Sequence, residues 1–337
     1  MARPPPLPGH RVNILDYAQL SPDTVIDAVE ATGRISDARV LALNSYENRV
    51  YQVGIEDDTP VIVKFYRPNR WSDAQIREEH TFSRELADAE LPVVAPIVGD
   101  DGETLFTHAG YRYAMFLRKG GQAPEPGNHE QLNRLGTLLG RIHAVARTKP
   151  FVHRPALDIT RFLDRPSRLL RERGFVPPAL SARYAQLIDG LRADISPLFS
   201  GDIAWIRTQG DCHPGNIVWT RDQGPWFVDF DDAQSAPAVQ DLWMLLAGDR
   251  HERELALAEL LDGYESFCEF NTRELQLIEA LRALRLVHHA GWIAERWEDP
   301  AFPRAFPWFN TPRWWQSHLA ELDEQRQMLN EAPLRRL

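Results

Sequence analysis

Apolar and polar residues alternate in short runs through the first third of the chain, then recur at three- and four-residue spacing through most of the rest. Ser21-Pro22-Asp23 opens a helix, with Ser21 as N-cap and Pro22 at the first helical position. Residues 40–43, 50–55 and 61–66 read as a meander of strands, joined by residues 44–49 and by the turn Asp57-Asp58-Thr59-Pro60. A helix is predicted from about 71 to 90, where Ile76, Phe82 and Leu86 share a face. Strands follow near 93–98 and 104–108, and 112–117 reads as an edge strand leading to Lys119-Gly120-Gly121.

From about Glu130 the period becomes helical, with Leu132, Leu135, Leu138, Leu139 and Ile142 on one stripe. More amphipathic helix is expected over 162–198 and from 238 to the end, interrupted by two short strands at 217–219 and 226–228. The change of period at the glycine pair sets the expected domains: a leader at 1–10, an N-terminal lobe at 11–117 and a C-terminal lobe at 118–337. The fold class that follows is α+β and bilobal, with a small antiparallel-sheet N-lobe and a larger, mainly helical C-lobe.

A chain of 337 residues, 43% hydrophobic, can bury the core such an arrangement needs. Its net charge of −10 and lack of a dense basic run argue against a nucleic-acid partner. Two cysteines, Cys212 and Cys268, stand far apart without metal-ligand spacing, which disfavours a disulfide framework and a zinc site. No signal-peptide core and no run of about 18 uncharged apolar residues is present, so no membrane span is expected.

The densest chemistry lies in Gln209-Gly210-Asp211-Cys212-His213-Pro214-Gly215-Asn216 and in Trp226-Phe227-Val228-Asp229. Asn216 follows Asp211 by five positions, and Asp229 follows it by eighteen, ending an apolar strand. Phosphoryl transfer to a hydroxyl uses this set: one carboxylate orients or deprotonates the attacking hydroxyl, while an amide and a second carboxylate hold Mg²⁺ on the nucleotide phosphates. A plain turn would account for Asp211 alone, but not for the strand-ending carboxylate with Asn216 at ligand spacing. Asp211 and Asp229 are therefore the candidate catalytic residues. Asn216 and Asp229 are the candidate metal ligands, both hard oxygen donors suited to Mg²⁺. Asp231 is expected beside the metal, and Asp232 reads equally well as a turn cap. Asp241 has apolar neighbours and reads as a buried carboxylate bonded to catalytic-loop amides, rather than as an exposed helix acid.

Lys64 lies among strand formers, and an inward-pointing lysine needs an anionic partner. ATP phosphates and a helix glutamate would supply it, with Glu79 the first choice and Glu78 the second. The loop at 44–49 is placed to cover phosphate through Ser45 although it lacks glycine, and a plain hairpin loop is the competing reading. Met115 to Leu117 is read as a hinge whose backbone at Met115 and Leu117 meets adenine, against ordinary core packing. Cys212 is either an inert thiol or a redox switch. Adjacent His288 and His289 point apart and make a poor metal pair. The C-terminal aromatics between Trp292 and Trp315 are expected to pack helices, with a substrate-binding wall as the alternative.

The Gly210-Asp211 to Asn216 segment, the Asp229 strand and Val63-Lys64-Phe65 resemble the aminoglycoside phosphotransferase/choline kinase branch of the protein-kinase-like fold. Residues 44–52, Ala236-Pro237-Ala238-Val239-Gln240-Asp241-Leu242-Trp243 and Asp299-Pro300-Ala301-Phe302-Pro303 are similar to a bacterial stress-response kinase subgroup, over about residues 10–320. The resemblance implies a cytoplasmic, monomeric, ATP- and Mg²⁺-dependent kinase acting on Ser or Thr of a protein, itself included. It implies Asp211 as the active-site aspartate, Asn216 and Asp229 as Mg²⁺ holders and Ser45 as an ATP contact. The branch usually carries His where this chain has Gln209, whose amide can brace the same loop. Phe230-Asp231 replaces the glycine-ended metal motif and no activation segment is evident, which implies no control by activation-loop phosphorylation. Two other readings remain: a small-molecule kinase for an antibiotic, choline or homoserine-like acceptor, and a nucleotide-binding regulator without turnover. In all of them Lys64, Asp211, Asn216 and Asp229 are expected to converge on one nucleotide tail.

Overall fold

The computed structural model describes residues 17–201 and 203–337. The expected leader at 1–10 and the first residues of the expected N-terminal lobe lie outside them. Two compact units divide the chain. One comprises residues up to His80 with Ala95–Arg118, the other Thr81–Val94 with Lys119–Leu337.

The first unit opens with α1 (Pro22–Glu30), capped by Ser21, whose hydroxyl accepts the Thr24 amide at 3.2 Å. Its strands are β1 (Ser36–Ala42), β2 (Arg49–Ile55), β3 (Asp58–Phe65), β4 (Phe106–His108) and β5 (Tyr111–Leu117), with α2 (Asp73–Asp88) between β3 and β4. They form an antiparallel sheet in the order β1-β2-β3-β5-β4. Alternation along β3 sends Val61, Val63 and Phe65 into a core with Val25, Val29, Tyr113 and Met115. Lys64 points to the opposite face, in register with Ala114, which packs with Tyr66, Ile76 and Leu105.

Two of the expected strands differ from those that form. Residues 93–98 form no strand: Val93 and Pro96 make only isolated bridges, to Phe227 and Phe116. Pro92 and Pro96 lack the N–H groups that would extend a ladder. Residues 112–117 are not an edge, because β4 folds back through the Ala109-Gly110 turn and pairs along β5, leaving β4 outermost.

The second unit continues with α3 (His129–Ala146), α4 (Arg165–Glu172), α5 (Ser181–Ile195), β6 (Ile206–Thr208), β7 (Ile217–Thr220), β8 (Gly224–Phe227) and β9 (Gln234–Ala236). It ends with α6 (Arg250–Tyr264), α7 (Ile278–Glu295), α8 (Ala301–Ala305) and α9 (Pro312–Met328). The α-helix expected directly from Ala238 is instead two 3₁₀ turns, Ala238–Asp241 and Trp243–Leu245. Backbone approaches backbone where α3 meets α6: a Cβ at Gly136 or Gly140 would lie 2.0 Å from the Leu260 carbonyl oxygen or 2.3 Å from that of Tyr264. In the aromatic C-terminal quarter Phe302, Phe309 and Trp315 are buried in the core, while Trp308 is exposed. Among the described residues, no helix is long and apolar enough to cross a membrane.

Candidate active site

Strand β6 pairs with β9 and delivers the chain to Gln209, Gly210 and Asp211. Gly210 takes φ +87°, and a Cβ there would fall 2.1 Å from the carbonyl oxygen of Asp232, so only glycine fits this turn. The loop's amides are met from below. Asp241, fully buried, accepts the Gln209 amide on Oδ2 and the Gly210 amide on Oδ1, each at 2.8 Å. Its Oδ2 also lies 3.1 Å from His143 Nε2, and His143 Nδ1 meets the Tyr264 hydroxyl at 2.9 Å. Gln240 Nε2 donates to the Gly210 carbonyl at 2.7 Å. A buried carboxylate is tolerated when both its oxygens are hydrogen-bonded this way, and the result is a rigid seat for Asp211.

The Gln209 side chain ties this loop to the next. Its Oε1 accepts the Asp211 amide at 2.9 Å, and its Nε2 donates to the carbonyls of Asp229 at 2.8 Å and Val228 at 3.2 Å. The β7–β8 ladder is extended by the Val228 amide donating to the Asn216 carbonyl at 3.0 Å, which sets Asn216 and Asp229 at one end of the hairpin. Asn216 Nδ2 donates to the Asp211 carbonyl at 3.0 Å. Asp211, Asn216 and Asp229 are thus brought together within the second unit by named hydrogen bonds. Asp229 holds φ +56°, a left-handed conformation rare for a side chain with a Cβ and common where a site fixes its geometry. Behind it Phe230 is buried against Phe82, and Arg154 braces the turn through the carbonyls of Asp231 at 2.5 Å and Ala233 at 2.7 Å.

With Nδ2 turned to the Asp211 carbonyl, the amide oxygen of Asn216 is the atom it can offer a cation, and Asp229 is exposed. Two hard oxygens on a fixed hairpin end fit Mg²⁺, which keeps water and phosphate oxygens as its remaining ligands.

Asp211 carries two contacts that the sequence did not reveal. Arg285 of α7 donates Nη1 to its Oδ1, and His213 Nε2 lies 3.4 Å from its Oδ2. Burial pulls the Asp211 carboxyl upward, but the His213 hydrogen bond and the Arg285 charge outweigh it, and the pKa lies below the usual carboxylate value. Cys212 is fully buried, and burial together with the Asp241 and Asp211 charges raises its thiol pKa well above the usual value, which favours the inert reading.

The remaining candidates belong to the first unit. Lys64 and Glu79 are both buried, at 6% and 3% exposure, and Lys64 Nζ lies 5.4 Å from the Tyr66 ring centroid. Glu79 adjoins His80 at 3.6 Å, whose Nε2 meets the Tyr66 hydroxyl at 2.7 Å. Ser45 donates its hydroxyl to the Asn48 carbonyl at 3.1 Å, shaping the 44–49 loop. Met115 is buried, and its carbonyl accepts the Ile97 amide at 2.7 Å, whereas Leu117 is exposed. His288 and His289 do diverge, one packing on Phe162 and the other on Trp292.

The class these elements define is a phosphotransferase. Residues 39–284 match the model of the phosphotransferase enzyme family, and the chain belongs to that family. It is 44% identical, over 96% of its length and 97% of the relative's, to serine/threonine protein kinase RdoA of Salmonella typhimurium. It is likewise 44% identical to stress response kinase A of Escherichia coli K12, covering 94% of this chain and 96% of that one. Among solved structures it resembles amicoumacin kinase hAmiN in complex with AMP-PNP, Ca²⁺ and Ami, with TM-score 0.71, 18% identity and coverage of 93% and 95%. It also resembles a microcompartment-associated aminopropanol kinase, with TM-score 0.66, 16% identity and coverage of 90% and 96%. The fold is the α+β, protein-kinase-like one, with a small antiparallel sheet and a larger helical part.

Proposed function

We propose that the protein is an ATP-dependent serine/threonine protein kinase of the bacterial stress response, working in the cytoplasm as a monomer with Mg²⁺. The observation that carries this reading is the joining of Asp211, Asn216 and Asp229 by the Gln209 side chain and the β7–β8 ladder. The names of the relatives support the protein acceptor and the stress role. The hAmiN complex supports a nucleoside triphosphate and a divalent cation as the reaction's other parts.

In this reading Asp211 holds the acceptor hydroxyl and receives its proton as the phosphoryl group leaves ATP. Its pKa lies below the usual value, so it is ionised at neutral pH and acts more through orientation than through basicity, which suits a loose transition state. Asn216 and Asp229 hold Mg²⁺, which neutralises phosphate charge when bound. Lys64, paired with Glu79, and Ser45 bind the phosphates, and the backbone of Met115 and Leu117 receives adenine. The lobes of this reading are 11–117 and 118–337, although residues 81–94 belong to the second compact unit.

A small-molecule kinase is the second reading, favoured by the amicoumacin and aminopropanol kinases among the neighbours in fold. Incubation with γ-labelled ATP and Mg²⁺ separates the cases. Label on Ser or Thr of protein is expected. Consumption of ATP only with a small acceptor would support the second reading, and binding without consumption would contradict both.

A further inference from the structure

Arg285 lies on α7, far in sequence from the catalytic loop, with a half-exposed guanidinium. Among the described residues its only ion pair is with Asp211. A guanidinium has five N–H donors, and one of them reaches Oδ1. Between Glu279 and Glu295 α7 carries no carboxylate, and because Arg282 is paired with Glu279 at 3.3 Å, the charge that this helix turns toward Asp211 is that of Arg285. One turn beyond Arg285, His289 is exposed and stacks on Trp292 at 5.7 Å. The opposite carboxylate oxygen of Asp211 faces His213. A hydroxyl brought to Asp211 therefore arrives beside a half-exposed guanidinium that can exchange the Asp211 carboxylate for another. A cationic acceptor meets like charge there, whereas an acceptor with a carboxylate near its hydroxyl can take Arg285 into a bidentate pair. Moving the guanidinium from Asp211 to the acceptor also frees Oδ1 for the hydroxyl.

We propose that Arg285 determines acceptor specificity by pairing with an acidic side chain next to the target Ser or Thr, so that the preferred acceptor is an acidic peptide segment and cationic acceptors are rejected. The proposal rests on the reading of Asp211 as the residue that holds the acceptor hydroxyl.

The test measures transfer from ATP to serine peptides of one backbone flanked by Glu, Ala or Lys, with choline and 1-amino-2-propanol as cationic small acceptors. The wild-type enzyme should favour the Glu-flanked peptide by about tenfold or more in kcat/KM, with Lys-flanked peptide and amines weakest. Arg285→Gln should erase that preference mainly through KM, and Arg285→Glu should reverse it. A purely structural role would leave the preference unmoved, and thermal melting of each variant reports folding directly. Retained acidic preference in Arg285→Gln, better use of Lys-flanked peptide or choline by the wild type, or failure to use any acidic peptide would overturn the proposal. Asp211→Asn serves as the separate control: transfer surviving in it would sink the reading of Asp211, whatever the peptide preference shows.

Discussion

Asp241 accepts the amide of Gly210 on Oδ1 at 2.8 Å, across thirty-one residues of chain. With the Gln209 amide on Oδ2 and His143 alongside, this carboxylate fixes the backbone from which Asp211 projects.

Removing that support should be costly. Asp241→Ala strands two buried amides and is expected to lose roughly 3–5 kcal/mol of stability by urea denaturation, along with most transfer activity. Asp241→Asn keeps one acceptor oxygen and should fall between. A change below about 0.5 kcal/mol in the alanine variant, the range of an ordinary surface substitution, would show that the clamp is not what holds the loop.

The Gln209 amide both donates and accepts between the two loops, and a leucine of similar size can do neither. Gln209→Leu leaves the Asp211 amide without its acceptor and is expected to lower stability by about 1–3 kcal/mol and kcat/KM by about 10–100-fold, the scale seen when groups supporting metal ligands are removed. Gln209→His, restoring the residue usual in the branch, should keep activity within a few-fold. Equal activity in the leucine variant would refute the bracing role.

Stability should depend on pH through Glu274, which is 1% exposed and accepts the Val239 amide at 2.9 Å, just before Asp241. Burial, partly offset by that amide and by Arg147, pushes its carboxyl up to about 7 from 4.5. The native state thus keeps a proton that the unfolded chain releases. Its contribution is full below pH 4.5 and is lost as pH rises through about 7. The loss is on the order of 3 kcal/mol. Urea midpoints from pH 5 to 8 should fall in the wild type and fall less in Glu274→Gln, whose amide oxygen still accepts from Val239. Parallel curves would exclude Glu274 as the source.

The reacting loop could be read from sequence because its chemistry is local. Asp211, Asn216 and the strand ending at Asp229 keep their spacing whatever surrounds them, and Asp241 betrayed its burial through apolar neighbours. Arg285, His143 and Arg154 left no such trace: each reaches the loop from a distant segment, and an arginine on α7 looks like any surface charge. The short β6–β9 pairing went unread because its strands have three residues each. The strand expected at 93–98 failed on Pro92 and Pro96, whose missing donors outweigh the valines between them. In the first unit, alternation along β3 puts Lys64 on the face opposite Val63 and Phe65.

The central claim is that the Asp211 carboxylate, not merely its loop, enables transfer. Single-turnover phosphoryl transfer and nucleotide binding by Asp211→Asn test it most directly. A fold intact by melting, nucleotide affinity within a few-fold of wild type and a transfer rate lowered about 10²–10⁴-fold are expected. Transfer at the wild-type rate by a folded, nucleotide-binding Asp211→Asn protein would contradict the account.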